Sequence, residues 1–82
     1  MDAQHLVLSG VLELFNTPEV EQNLSPAAQL NEDLNLSTDD IMLLGLTLEQ
    51  RMQVANNDYY LSDTDITGWV NVSDIINTLK SK

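Results

Sequence analysis

Ser37-Thr38-Asp39-Asp40-Ile41-Met42-Leu43-Leu44-Gly45-Leu46-Thr47-Leu48-Glu49-Gln50-Arg51-Met52 is the stretch on which the fold turns. Ser37 is a good N-cap, and Asp39 and Asp40 place negative charge on the first turn, where the helix dipole favours it. From there Ile41, Leu44, Gly45, Leu48 and Met52 recur at offsets of three and four, which draws an apolar stripe along one side of a helix. Met42, Leu43 and Leu46 form a second apolar line beside it, so the apolar face is unusually wide. Asn56-Asn57-Asp58 closes the segment with turn-forming residues. The spacing predicts a helix over about 38–55.

On the N-terminal side, Leu6, Val7, Val11, Leu12, Leu14 and Phe15 also recur at helical spacing and predict an amphipathic helix over roughly 3–16, weakened slightly by Gly10. Asn16-Thr17-Pro18 ends it, because the residue before a proline is pushed out of helical geometry. Residues 17–36 read as a long connection with room for a helical turn, anchored to the core by Leu24, Leu30, Leu34 and Leu36. On the C-terminal side, Ser62 to Gly68 reads as a short helical turn or loop. Ser73 and Asp74 then lead into a last helix through about Leu79, with Val72, Ile75, Ile76 and Leu79 on its core side. No segment alternates like a strand. The expectation is an all-α bundle forming a single domain over 1–82, with Leu12, Phe15, Leu34, Leu44, Leu48, Met52, Val72 and Ile76 in its core.

The chain has 82 residues and no cysteine. A domain this short buries only about 60 to 65 per cent of the surface its unfolded chain exposes. Stability must therefore come from apolar packing, without disulfides or thiolate metal sites. Thirteen acidic residues against three basic ones give a net charge of -10. Such a surface repels a phosphate backbone, so nucleic acid is excluded as a partner. It steers the protein toward basic patches instead, or serves solubility alone. The longest apolar run, Ile41 to Leu46, is far below the roughly 20 residues that span a bilayer. No basic stretch precedes an apolar segment near the start, so a secretory signal is not expected. These features predict a soluble, cytoplasmic protein, and a monomer is expected.

Three stretches together resemble the acyl carrier proteins. Leu24-Ser25-Pro26-Ala27-Ala28-Gln29-Leu30-Asn31-Glu32-Asp33-Leu34-Asn35-Leu36 is similar to the family's loop, which ends in an Asp-Leu-Gly-type sequence before the prosthetic-group serine. Leu48-Glu49-Gln50-Arg51-Met52 is similar to the end of the family's second helix. Leu61-Ser62-Asp63 through Trp69 to Val72-Ser73-Asp74-Ile75-Ile76 is similar to its third helix and the start of the fourth. The resemblance covers about residues 5–79, with a few extra residues around Val54 to Asp58. It implies a bundle of three long helices and one short one. It also implies a 4'-phosphopantetheine arm on the second helix, whose thiol holds acyl groups as thioesters during fatty-acid, polyketide or related biosynthesis. The implied partners are a phosphopantetheinyl transferase and acyl-processing enzymes with basic docking patches, and the domain itself is not an enzyme.

The family pattern at the arm is Asp-Ser-Leu followed by another acid. Between Asp33-Leu34 and Leu48 to Met52, the register sets Ser37 at the acid, Thr38 at the serine, Asp39 at the leucine and Asp40 at the second acid. Register thus favours Thr38. Chemistry favours Ser37, because a threonine hydroxyl is secondary and its branched side chain is stiff and crowded; the primary hydroxyl tips the choice to Ser37. A purely structural alternative has Ser37 cap the helix and Thr38 fill its first turn. For docking, the resemblance points to Glu32, Asp33, Asp39, Asp40 and Glu49, with Leu43 standing where an acid is usual. Leu43 is read either as an apolar contact in that surface or as part of a wider core.

Two rival readings remain. An unmodified, carrier-like interaction module would keep the fold and dock without cargo. An EF-hand-like calcium loop is suggested by Asp63-Thr64-Asp65-Ile66-Thr67-Gly68-Trp69-Val70-Asn71-Val72-Ser73-Asp74, which has oxygen ligands at positions one, three, five, nine and twelve and glycine at six. Against it stand Asp in place of the bidentate Glu at position twelve and the lack of a second loop. His5 has no evident nucleophile or carboxylate partner and reads as a surface residue. Trp69, Tyr59 and Tyr60 read as core or interface aromatics.

Overall fold

The computed structural model describes residues 2–81. Five helices follow one another: α1 (Ala3–Leu14), α2 (Pro18–Asn23), α3 (Thr38–Ala55), α4 (Asp63–Thr67) and α5 (Val72–Ser81). No strand occurs among the described residues, so the fold is all-α; one isolated antiparallel bridge joins Gln29 to Asn71. Two short helices accompany the three long ones, where one was expected. The additional one is α2, which Thr17 caps by accepting from the Val20 amide and which Pro18 opens at a position needing no amide donor. α1 stops at Leu14, two residues before the predicted end, and α5 runs two residues past Leu79.

Reciprocal capping starts three of the helices. Ser37 Oγ accepts from the Asp40 amide at 3.1 Å while Asp40 Oδ2 accepts from the Ser37 amide at 3.0 Å. Ser62 and Asp65 repeat the arrangement at 3.1 and 3.0 Å, and Asn71 with Asp74 does so at the start of α5 at 2.9 and 3.1 Å. Each side chain satisfies an amide that the helix start leaves without an acceptor.

α1 packs against α3 and α5, and α4 packs against α3. Val7, Val11, Leu44, Leu48, Val72 and Ile75 are fully buried, and Leu34 and Ile76 join them in one continuous core. Phe15 and Met52 only border this core, half-buried. Leu12, predicted to lie inside, is 42% exposed. The reason is angular: Gly10 faces α3, with Leu48 and Leu44 as its neighbours, and two residues further on the helix has turned about 200°. The long connection supplies much of the remaining core through Val20, Ala28, Leu30 and Leu36. It is tied to the start of α5 by Leu30 N–H donating to the Val70 carbonyl and Val72 N–H donating to the Ala28 carbonyl, both at 3.0 Å.

α4 approaches α3 closely at Gly45. A Cβ placed on Gly45 would lie 2.6 Å from Ile66 Cδ1 and 2.8 Å from Cγ1, and Ile66 is itself buried. Gly45→Ala gains about 1 kcal/mol in helix propensity but forces overpacking worth about 1–3 kcal/mol. The expected net result is a loss of about 1 kcal/mol in urea denaturation, with Gly45→Val worse; a more stable Gly45→Ala protein would refute the close approach.

Asn35 has φ 57°, the only positive value among the described non-glycine residues. Asparagine tolerates this left-handed geometry and glycine adopts it freely, whereas a β-branched residue does not. Asn35→Gly should therefore match or exceed wild-type stability while Asn35→Val loses about 1–2 kcal/mol. Thermal melts of the pair check the ordering.

Candidate functional site

Asn35, Leu36 and Ser37 bring the connection into α3, and the two candidate hydroxyls follow from that entry. Ser37 is the N-cap, in extended geometry (φ -80°, ψ 171°), with its Oγ held as the acceptor for the Asp40 amide. Thr38 is the first helical residue and is exposed. Its side chain lines a cavity of about 200 Å³ together with Ile41, Met42, Ile66, Thr67 and Trp69. A second cleft of about 270 Å³ adjoins it across Ile41 and Trp69 and reaches Gln29, Leu30 and Glu32 on the connection. The start of α3 thus carries an exposed hydroxyl at the rim of a mainly apolar cleft. The first amides of an 18-residue helix lie beside it, where partial positive charge favours an anion.

Three of the five acids predicted to meet a partner are held by the fold. Asp33 Oδ2 accepts from the Gln29 amide at 2.8 Å, Asp40 closes the cap of α3, and Glu49 Oε2 accepts from the Leu61 amide at 2.7 Å. Glu32 and Asp39 are exposed. Leu43 is 48% exposed, which decides between its two readings: it belongs to the surface and not to a widened core. Ser37, Thr38 and Asp39 cluster at the start of α3, Glu32 borders the neighbouring cleft, and Glu49 lies two turns and more along the helix.

The calcium-loop spacing is not realised as a loop. Residues 63–67 are helical, Asp65 turns back to the Ser62 amide, and Asp74 Oδ2 accepts from the Val70 and Asn71 amides at 2.9 and 3.1 Å. Among the described residues, no three acidic, histidine or cysteine side chains gather as a metal centre. Formal spacing cannot reveal that both carboxylates act as helix caps. Of the aromatics, Trp69 is buried and its Nε1 donates to Thr78 Oγ1 at 3.0 Å, whereas Tyr60 is 65% exposed. His5 is exposed, and no described helix is long and apolar enough to cross a membrane.

Tyr59, which carried no functional signal in the sequence, is buried with its hydroxyl lacking a hydrogen-bond partner among the described residues. Burial first, then the Asp65 and Glu49 carboxylates, raises its pKa above the ordinary value near 10.

Comparison with protein-family models, with curated proteins and with solved structures finds no match for the chain.

The raised phenol fixes the sign of an alkaline transition. A folded-state pKa above the unfolded one gives a contribution fully present below about pH 10 and lost as pH rises through the folded value. Wild-type stability should therefore fall above about pH 10. Tyr59→Phe, which also removes an unpartnered buried donor, should blunt that fall and equal or exceed wild type at pH 7 by up to about 1 kcal/mol. Urea titrations at both pH values test it, and an unchanged alkaline slope in Tyr59→Phe would count against the assignment.

Proposed function

We propose that this chain is a carrier protein of the acyl-carrier-protein type, holding acyl intermediates on a 4'-phosphopantetheine arm for fatty-acid, polyketide or related biosynthesis. The observation that carries the reading is Thr38, an exposed hydroxyl on the first residue of α3 that borders the apolar cavity of Ile41, Met42, Ile66, Thr67 and Trp69. The left-handed Asn35 supports the same register, since it stands where the resembled Asp-Leu-Gly motif has its glycine. That register sets Thr38 at the family's serine.

We infer Thr38 as the attachment point in place of Ser37, which sequence chemistry favours, and the capping role of Ser37 supports that choice. Ser37 Oγ already completes the cap of α3, and a cap of this kind contributes about 1 kcal/mol. Thr38 would hold the arm, and the group, when bound, supplies a terminal thiol for thioester formation. The residues of the chain have other tasks. The amides of Thr38 and Asp39 would offer partial positive charge to a phosphodiester held there, whereas the Asp40 amide is already engaged by Ser37 Oγ. Ile41, Met42, Ile66 and Trp69 offer apolar surface to cargo, while Asp39 opposes the phosphodiester by like charge. Glu32 and Asp39 remain available to basic patches on the transferase and on acyl-processing enzymes. In this reading the protein is not an enzyme, and it works as a cytoplasmic monomer.

A second reading, the unmodified interaction module, has its own support. The cap at Ser37 has the same reciprocal form as those at Ser62 and Asn71, neither of which lies at a proposed attachment point. Intact mass and peptide mapping after treatment with a broad-specificity phosphopantetheinyl transferase and coenzyme A separate the two. The arm should appear slowly on wild type at Thr38. It should appear about tenfold or more faster on Thr38→Ser, faster again with Asp39→Leu added, and not at all on Thr38→Ala. An arm retained by Ser37→Ala, Thr38→Ala would overturn the site. No arm on wild type, with a clean one on Thr38→Ser, would favour the module.

A further inference from the structure

We propose that the cleft between the start of α1 and the ends of α3 and α5 is a binding site for a free α-amino acid with an apolar side chain. The cavity measures about 380 Å³, and its described lining is Asp2, Ala3, Met52, Leu79 and Lys80. That volume lies at the small end of the range for small-molecule sites, about 300–1,000 Å³. An apolar cavity of about 150 Å³ already takes a benzene-sized group, so a leucine-sized molecule fits. Thr38 lies at the opposite end of α3, about 21 Å from Met52 along the helix. Nothing in this site requires an arm there, so it stands apart from the carrier reading.

The lining has three chemical parts. Leu79 is buried and Ala3 and Met52 are half-buried, so the floor is apolar, and the unbranched thioether of Met52 can adapt to what lies on it. Lys80 supplies a cation in the last turn of α5. Arg51 is ion-paired with Glu13, which leaves Lys80 as the one Lys or Arg side chain among the described residues without a carboxylate partner. Asp2 supplies an anion: its Oδ1 accepts from the Gln4 amide, and no described donor engages its other oxygen. The two charges share a cavity and are not paired with each other. A ligand that bridges them needs a donor for Asp2, an acceptor for Lys80 and an apolar group for the floor.

Charge decides among the ligands of that kind. A fatty carboxylate is repelled by a chain carrying -10 and leaves Asp2 unmatched. An apolar amine sets its ammonium beside Lys80 and offers that cation nothing. A peptide terminus brings only one of the two charges. An α-amino acid carries both on one carbon, has no net charge to be repelled, and lays its side chain on Met52 and Leu79.

The test titrates the full chain with L-leucine and follows amide resonances. Saturable binding with a Kd of about 1 mM or tighter is expected, with shifts at Ala3, Met52, Leu79 and Lys80. Three fragments of the ligand should each bind at least about tenfold more weakly: isocaproate, which lacks the ammonium, isoamylamine, which lacks the carboxylate, and glycine, which lacks the side chain. Lys80→Gln and Asp2→Asn should each lose at least about tenfold in affinity. Lys80 is exposed, and asparagine caps a helix as well as aspartate does, so neither change disturbs the fold. Leu12→Gln, which alters an exposed leucine outside the cleft, should lose none. No saturation up to about 50 mM leucine, a fragment that matches leucine, wild-type affinity in either charge variant, or shifts centred on Thr38 and Trp69 would each overturn the proposal.

Discussion

The approach of Ile66 to Gly45 is the contact on which the rest of the arrangement depends. α4 has only five residues, too few to be helical alone, so its position comes from tertiary packing. Ile66 anchors it, and the missing side chain at Gly45 is what lets that anchor lie against α3. The capping pair Ser62 and Asp65 then sets the direction in which α4 leaves the contact, and Trp69 follows with its ring buried and its Nε1 bonded to Thr78 on α5. The cleft beside Thr38 is bounded by these residues: Ile41 and Met42 from α3, Ile66 and Thr67 from α4, and Trp69 after it. One absent methyl group thus governs both a core contact and the floor of the candidate site.

A net charge of -10 suggests a surface arranged for binding, yet six carboxylates have local tasks. Asp2, Asp33, Asp40, Asp65, Asp74 and Glu49 each accept from a backbone amide. In a small fold without disulfides, such bonds fix helix starts and loop closures that a larger core would otherwise hold. The charge is therefore partly a by-product of how the chain is pinned together. Exposed acid and exposed apolar side chains coincide along α3, at Asp39, Leu43 and Leu46.

The long helices were legible because their signals are local. α3 begins and ends where Ser37 and Asn56 predict, since cap and stripe agree. α2 was harder to read because Pro18-Glu19-Val20-Glu21-Gln22-Asn23 has one buried position, Val20, and no period can be drawn from a single point. Leu12 misled because its spacing fits a helix equally well on either side, and only the close passage of Gly10 by α3 decides which side is inside. For the candidate site, the sequence pointed to the start of α3 and to both hydroxyls but could not rank them by geometry. The ranking depends on which oxygen the Asp40 amide engages and on a cleft whose far wall lies some thirty residues away. Tyr59 is buried, as its reading as a core or interface aromatic expects, but its unpartnered hydroxyl was not legible, as its environment is assembled from α3 and α4.

α3 presents three different surroundings on three sectors of one cylinder. Leu44 and Leu48 face the core, Thr38, Ile41 and Met42 face the cleft, and Leu43, Leu46 and Val54 face outward. Because adjacent residues on a helix are turned by about 100°, a one-residue step along the sequence moves from one sector to another. Leu43 and Leu44 are the sharpest instance: they are chemically identical neighbours, one about half-exposed on the outward side and the other fully buried. Truncating Leu44 opens a core cavity, whereas truncating Leu43 removes surface that only a partner could cover. The wide apolar face noted in the sequence is thus two faces, and the second does nothing for the isolated fold. Exposed apolar surface of this kind on a helix is what a partner from outside the chain would cover.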